Sequence, residues 1–352
     1  MKILEKENKK GERVKILNSS EYNYIFNYTD GNFMRWGKTF NDDPSYSKYG
    51  PEILDIEIST ICSKKCSFCY KTNTEKGEYM NFETFQELFN MFPKSLTQIA
   101  FGLGSIIGNP ELYKIMQYCR DNNVVPNITI NGEEMNDYHY DMLVKLCGAV
   151  AVSCYDDNTC FNAVSELTNR GLKQVNIHKL LAQQTIDECF DLIDKSKTDK
   201  RLNKLNAIVF LWLKPKGQRN VFTQVQSFKK YKELVDYAFE NSARIGFDSC
   251  SAPMFLKAIA DRPDYSAIEM LVEPCESTLF SYYINTQGVS YPCSFTEATD
   301  DYKGIKLLEQ KDFLNDVWYH PETVKFRDKV INNVDCNNCR YCQAFNLEFK
   351  GV

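Results

Sequence analysis

From about residue 52 to residue 250 the chain alternates short apolar runs with segments of helical periodicity, and this order limits the fold more than any other feature. The strand-like runs are 53–58, 98–103, 124–130, 149–153, 175–178, 207–213 and 244–248. Between them apolar residues return at helical spacing. Phe82, Phe85, Phe89 and Phe92 form one face, and Leu112, Ile115, Met116 and Cys119 another. Cys160, Ala163, Val164 and Leu167 form a third, and Ile186, Cys189, Phe190 and Ile193 a fourth. Such stripes belong to helices laid on a sheet. A βαβα order implies parallel strands joined by helical crossovers. Six units and one further strand predict an α/β fold, a partial (βα)6 barrel of the TIM type that need not close, over residues 51–260.

The flanks read differently. Tyr22, Tyr24, Phe26 and Tyr28 alternate with other residues, Asp30-Gly31 supplies a turn, and Phe33–Trp36 follows. This pattern predicts an N-terminal β-hairpin extension within residues 1–50, packed as a lid or extra strand pair on the main body. After Ala260 the alternation stops. Residues 261–352 hold a hairpin-like stretch, Phe280–Ile284 and Val289–Pro292 around Gly288, few helix signals and five cysteines. They predict a small C-terminal domain.

Composition narrows the function classes. An apolar fraction of 43% and a charged fraction of 25% suit a soluble globular protein. No run nears the ~20 apolar residues of a membrane span, and the charged N-terminus lacks the apolar stretch of a signal peptide. A cytoplasmic protein with no membrane partner is expected. The net charge of -5 gives no general attraction to phosphate backbones, so a nucleic-acid partner is not expected. The basic run from Lys195 to Arg201 reads as a solvated helix end.

Fourteen cysteines in a reducing compartment read as metal ligands, redox groups or small core residues rather than disulfides. Cys119, Cys147, Cys160 and Cys189 sit on or end apolar helix faces and read as core. Cys62, Cys66 and Cys69 directly follow the first barrel strand, Leu54-Asp-Ile-Glu-Ile58. Functional loops of parallel α/β folds leave the carboxyl ends of strands. Three thiolates there suit an iron–sulfur cluster with one iron left open. A structural zinc would want a fourth ligand, and the chain has three histidines in all, none nearby.

Cys-x3-Cys-x-aromatic-Cys after a first barrel strand, with Phe68 at the aromatic position, resembles the hallmark of the radical S-adenosylmethionine (SAM) superfamily. The resemblance covers about residues 50–250. It implies a [4Fe-4S] cluster whose open iron chelates SAM, and reductive cleavage to a 5′-deoxyadenosyl radical that abstracts hydrogen from substrate. Leu103-Gly104-Ser105-Ile106, just after Gly102, stands where the family carries Gly-Gly-Glu-Pro, with Ser105 in place of the usual glutamate, and Gly102, Gly104 and Ser105 are SAM-contact candidates. Thr129 and Asn131, Ser153, then Asn176, His178 and Lys179, and Leu213, stand near later strand ends and are the further SAM-contact candidates.

In the C-terminal region Cys275, Gly288 and Cys293 precede Cys336-x2-Cys339-x2-Cys342. By spacing alone this is a four-ligand site that zinc would also accept. It is similar to the auxiliary-cluster region of SPASM and twitch radical SAM enzymes. The resemblance implies one auxiliary [4Fe-4S] cluster on Cys275, Cys293 and two of Cys336, Cys339 and Cys342. Just past the seventh strand, Cys250 is a candidate hydrogen donor or substrate ligand and Asp248 a candidate general base. The leading expectation is an enzyme that modifies a peptide or protein side chain by oxidation or cross-linking, served by a one-electron reductant such as flavodoxin or ferredoxin. A small-molecule dehydrogenase acting on a sugar or aminocyclitol alcohol, and a non-catalytic zinc-binding adaptor, are the alternatives.

Overall fold

The computed structural model describes residues 1–332, 342–345, 347 and 349. The chain opens with four antiparallel strands, β1 (Lys2–Glu7), β2 (Arg13–Asn18), β3 (Asn23–Asn27) and β4 (Phe33–Trp36), in that spatial order. The expected hairpin is β3–β4. The other two strands extend it into a small sheet, and the charged residues interleaved in them (two Lys and two Glu in β1, Arg13 and Lys15 in β2) hide them from a search for apolar alternation. This sheet is no lid over strand ends. Tyr24 Oη donates to Ser95 O at 2.6 Å, Lys15 Nζ to Leu96 O at 2.6 Å and Gln174 Nε2 to Asp30 O at 2.7 Å. All three tie it to the chain entering the barrel strands, at the end opposite Cys62.

The main sheet contains β5 (Ile53–Ser59), β6 (Gln98–Leu103), β7 (Val125–Ile130), β8 (Ala149–Ser153), β9 (Gln174–Leu181), β10 (Ala207–Trp212) and β11 (Ile245–Phe247), parallel and in sequential order. The helices between them are α1 (Phe82–Met91), α2 (Leu112–Asp121), α3 (Asp137–Leu146), α4 (Asp157–Asn169), α5 (Ile186–Thr198) and α6 (Phe228–Glu240). Sequential order with right-handed crossovers puts every helix on one face. Leu54, Ile56, Ile58, Ile99 and Phe101 bury against that helical layer, as do Cys119, Cys160 and Cys189. By strand alternation the opposite, concave face receives Asp55, Glu57, Ala100, Gly102, Asn127, Thr129, Asn176 and His178. It is polar, and its alanines and glycine leave room.

Beyond α7 (Ala252–Ala258) and α8 (Tyr265–Glu269) the C-terminal segment is hydrogen-bonded into the same sheet. Strand β12 (Ser281–Ile284) lies parallel to β5, pairing Ser281 with Ile53 and Ile284 with Ile56. Strands β13 (Val289–Tyr291) and β14 (Ile305–Lys306) follow antiparallel. The helix α9 (Pro321–Asn332) then packs Phe326 and Val330 into a second core with Leu17, Tyr22, Tyr24 and Phe26 of the N-terminal sheet. No helix among the described residues is long and apolar enough to cross a membrane.

Candidate active site

Strand β5 delivers the three-cysteine loop to the carboxyl end of the sheet. Ser59 Oγ donates to Gly108 O at 2.8 Å and accepts from Ile61 N at 3.1 Å, which turns the chain out of the strand. Cys62 N donates to Thr74 O at 2.9 Å and Cys69 N to Cys66 O at 3.3 Å, closing the loop on itself. The three thiols are half-buried. Burial pushes the Cys62 and Cys66 thiols up, and the charges of the neighbouring cysteines add to the rise. Such a group ionises together only when cationic metal compensates it.

Two glycines press against this loop. A Cβ on Gly104 would lie 2.5 Å from Cys62 Cβ and 2.5 Å from Ile61 O. A Cβ on Gly217, at φ +102°, would lie 2.1 Å from Cys69 O. Among the described residues no three Cys, His, Asp or Glu side chains are grouped as the ligands of a metal ion. A cubane differs from a single ion in taking each cysteine on a different iron. Three cysteine sulfurs on a glycine-walled loop fit that donor set.

Around the loop the strand ends gather most of the expected SAM contacts. The Phe68 ring packs on Tyr155 and Phe222, with centroids 5.4 and 5.2 Å away. Gly102 pairs with Glu57. Asn131 Nδ2 donates to Gly104 O at 3.0 Å, and Ser105 is buried with its hydroxyl on the Glu134 carboxylate. Thr129, Ser153 and His178 are half-buried on the concave side, whereas Asn176 lies near the start of β9, its Oδ1 accepting from Asn206 Nδ2 at 2.9 Å. Burial pushes His178 down to about 4, so its imidazole is neutral at pH 7.

Lys179 and Leu213 do not join them. Strand β9 runs to Leu181, three residues beyond the expected end, so alternation turns Lys179 to the helical side, where it pairs with Glu188 at 2.5 Å. Leu213 is buried, its N–H donating to Leu181 O at 3.0 Å and its carbonyl accepting from Gln224 Nε2 at 3.4 Å.

A second thiol group forms where the chain leaves β11. The Cys250 thiol donates to Cys342, which holds Cys342 down and Cys250 up; the charge of Cys275 acts on Cys342 and that of Cys250 on Cys293. The expected ligands Cys336 and Cys339 lie outside the described residues. Cys250 thus stands among the C-terminal cysteines and not alone at a substrate cavity. Asp248 is engaged as well: it forms an ion pair with the buried Lys214 and accepts from Ser251 Oγ at 2.7 Å and Trp212 N at 3.4 Å. Three of the carboxylate's four acceptor positions are thereby occupied.

Between the two thiol groups is a buried polar cluster absent from the expected site. Lys71 Nζ lies 3.0 Å from Glu57 Oε2, donates to Tyr283 Oη at 2.7 Å and pairs with Glu297. Tyr283 Oη reaches both carboxylates at 3.1 Å, and Asn285 Nδ2 donates to Glu297 Oε1 at 2.7 Å. Burial pushes Glu57 up while Lys71 pulls it back. The chain after β10 adds a strap across the same gap. Lys216 Nζ donates to Phe295 O at 3.1 Å and Glu297 O at 2.5 Å, and Val221 N to Ser67 O at 2.9 Å. The one legible sign was in β5 itself, where Asp55 and Glu57 interrupt an apolar strand at alternate positions.

The fold has solved relatives. SuiB from Streptococcus suis bound to S-adenosylmethionine superposes with a TM-score of 0.62 at 15% identity, over 83% of this chain and 71% of that one. SuiB bound to its precursor peptide SuiA gives 0.63 at 15% identity, over 83% and 70%. Native anSMEcpe with bound AdoMet and the Cp18Cys peptide gives 0.57 at 14% identity, over 78% and 82%. No protein-family model matches the sequence, and no curated protein does either. At these identities the likeness is one of fold, and the partial-barrel expectation is borne out.

Proposed function

We propose that this chain is a radical SAM enzyme that modifies a side chain of a peptide or protein. The observation that carries the reading is the loop of Cys62, Cys66 and Cys69 at the carboxyl end of the first parallel strand, in a fold shared with two proteins solved with SAM bound. The cluster and SAM, when bound, supply hydrogen-atom abstraction from the substrate. The three cysteines would hold the cluster. Gly104 and Gly217 keep its loop in place, and Phe68, packed between Tyr155 and Phe222, walls it from solvent. Thr129, Asn131 and Ser153 present neutral hydrogen-bonding groups to a polar cofactor, and neutral His178 accepts or donates without adding charge.

A peptide substrate is supported by the relatives, SuiB being solved with a precursor peptide and anSMEcpe with the Cp18Cys peptide. For an auxiliary [4Fe-4S] cluster, Cys250 joins Cys275, Cys293 and Cys342 as candidate ligands. That placement favours a ligand role for Cys250 over a hydrogen-donor role. A one-electron reductant of the flavodoxin or ferredoxin kind would feed the first cluster. Residues 51–260 would form the SAM-binding unit, with 1–50 and 261–352 built onto it.

Anaerobic reconstitution tests the reading. Brown protein that cleaves SAM to 5′-deoxyadenosine and methionine on reduction supports it, and the Cys62→Ala, Cys66→Ala, Cys69→Ala triple variant should lose cleavage. Colourless protein carrying zinc would sink the assignment. Mass spectrometry of a short peptide encoded beside the gene, co-expressed with the enzyme, reports the substrate class.

A further inference from the structure

Ser105 ends the approach of β6 to the three-cysteine loop and carries no charge. It is 4% exposed, and its hydroxyl donates to the carboxylate of Glu134 on the loop that follows β7. Glu134 sits at φ +58°, in the left-handed region that a residue with a Cβ enters at a cost. Its neighbour Glu133 is spoken for, paired with Lys64 at 2.6 Å. Glu134 has no ion pair among the described residues, so one oxygen is fixed by Ser105 and the charge is left uncompensated. The position is next to the thiols: Asn131, two residues into the same turn, donates to Gly104 O at 3.0 Å, and Gly104 lies against Cys62. A carboxylate held in a strained turn and oriented by a buried hydroxyl offers a fixed acceptor to a cationic group on a ligand.

We propose that Glu134, positioned by Ser105, binds the α-ammonium of SAM. This rests on the radical SAM reading and adds to it the source of the negative charge. The carboxylate arrives from the loop after β7, and Ser105, on the loop after β6, contributes only a neutral hydroxyl. The division of labour is definite. Glu134 takes the ammonium by a charge-assisted hydrogen bond, and Ser105, buried beside Gly104, fixes one of its carboxylate oxygens.

Equilibrium dialysis on the anaerobically reconstituted full chain tests this, with SAM and an S-adenosyl analogue lacking the α-ammonium as the two probes. Glu134→Gln is an exposed, isosteric change that leaves the core alone. It should weaken SAM by about 10- to 100-fold, the worth of one charge-assisted hydrogen bond, while the analogue binds wild type and variant alike. Ser105→Ala should weaken SAM by only a few-fold, again sparing the analogue. Iron content should stay at the wild-type level in both. Unchanged SAM affinity in Glu134→Gln overturns the inference, and so does an equal loss for both probes, which would mark a structural role. A wild-type protein that holds iron but binds no SAM overturns the underlying reading as well.

Discussion

Asp55 and His178 share the concave face of the sheet and pull stability in opposite directions as pH changes. Asp55 is open to the water of that face, yet the protein surrounding it raises it to about 6, above its ordinary value near 4. Between these values the folded chain holds a proton that the unfolded chain has released, so this contribution falls as pH rises from about 4 to 6. Burial lowers His178 to about 4. Between about 4 and 6.5 the unfolded chain binds the extra proton, so this contribution grows as pH rises through that window. Asp55→Asn should therefore melt higher than wild type at pH 7 and converge with it near pH 4. His178→Gln should gain on wild type as pH falls from 6.5 to 4. Thermal melts read by circular dichroism at stepped pH check both, and a Asp55→Asn gain that persists at pH 4 would contradict the assignment. Neither shift was legible from sequence, since both arise from which face of a strand a residue occupies and how far the barrel wall encloses it.

At the scale of elements, the strap after β10 and the Lys71 cluster fix one cysteine segment against the other. Gly217 carries the closest approach, and its φ of +102° excludes a side chain on conformational grounds as well as steric ones. Gly217→Ala should cost about 2 kcal/mol or more, from a left-handed penalty plus displacement of the Cys69 carbonyl. Urea midpoints measure it, and iron retention after gel filtration reports whether the Cys62–Cys69 loop has moved. Lys71→Met should cost about 3 kcal/mol, because it strands the buried carboxylate of Glu57 beside Glu297. Adding Glu57→Gln to Lys71→Met should recover part of the loss. If the double variant is less stable than Lys71→Met, Glu57 is held by something other than the lysine.

The limits of β6 and β8 were readable to the residue, because turn-forming segments bound each apolar run. The Lys71 cluster was not readable, since it joins Glu57 and Lys71 to Tyr283 and Glu297 across more than two hundred residues and no local period records such a meeting. Lys179 was misplaced for a simpler reason. Counted as the first residue beyond a strand ending at 178, Lys179 was free to face the site, but as a strand residue following the concave His178 it must face the helices.

At the scale of the whole molecule, the composition shift near residue 260 marks a change in architecture without marking a break in the fold. The short, aromatic strand β12 takes the free edge of β5, so the C-terminal segment completes the sheet that positions the three cysteines. Trp318 Nε1 donates to Ser47 O at 2.8 Å, and the buried Arg327 donates to Thr278 O at 2.7 Å and Trp318 O at 2.9 Å. The first binds the C-terminal segment to the chain that leads into β5, and the Arg327 bonds tie that segment together within itself. The three tryptophans happen to sample the three expected segments: Trp36 lies on β4, Trp212 ends β10 and Trp318 precedes α9. Shared sheet and shared second core make one cooperative unit the expected behaviour. Three variants, each keeping one tryptophan with the other two replaced by phenylalanine, test it. In each, the urea transition seen by fluorescence should coincide with that variant's own far-ultraviolet circular dichroism transition. Comparison within a variant removes the stability lost to the replacements themselves. A Trp318 signal that unfolds ahead of the backbone signal would show that residues 261–352 part from the barrel first, and that β12 is a docked strand instead of a structural member of the sheet.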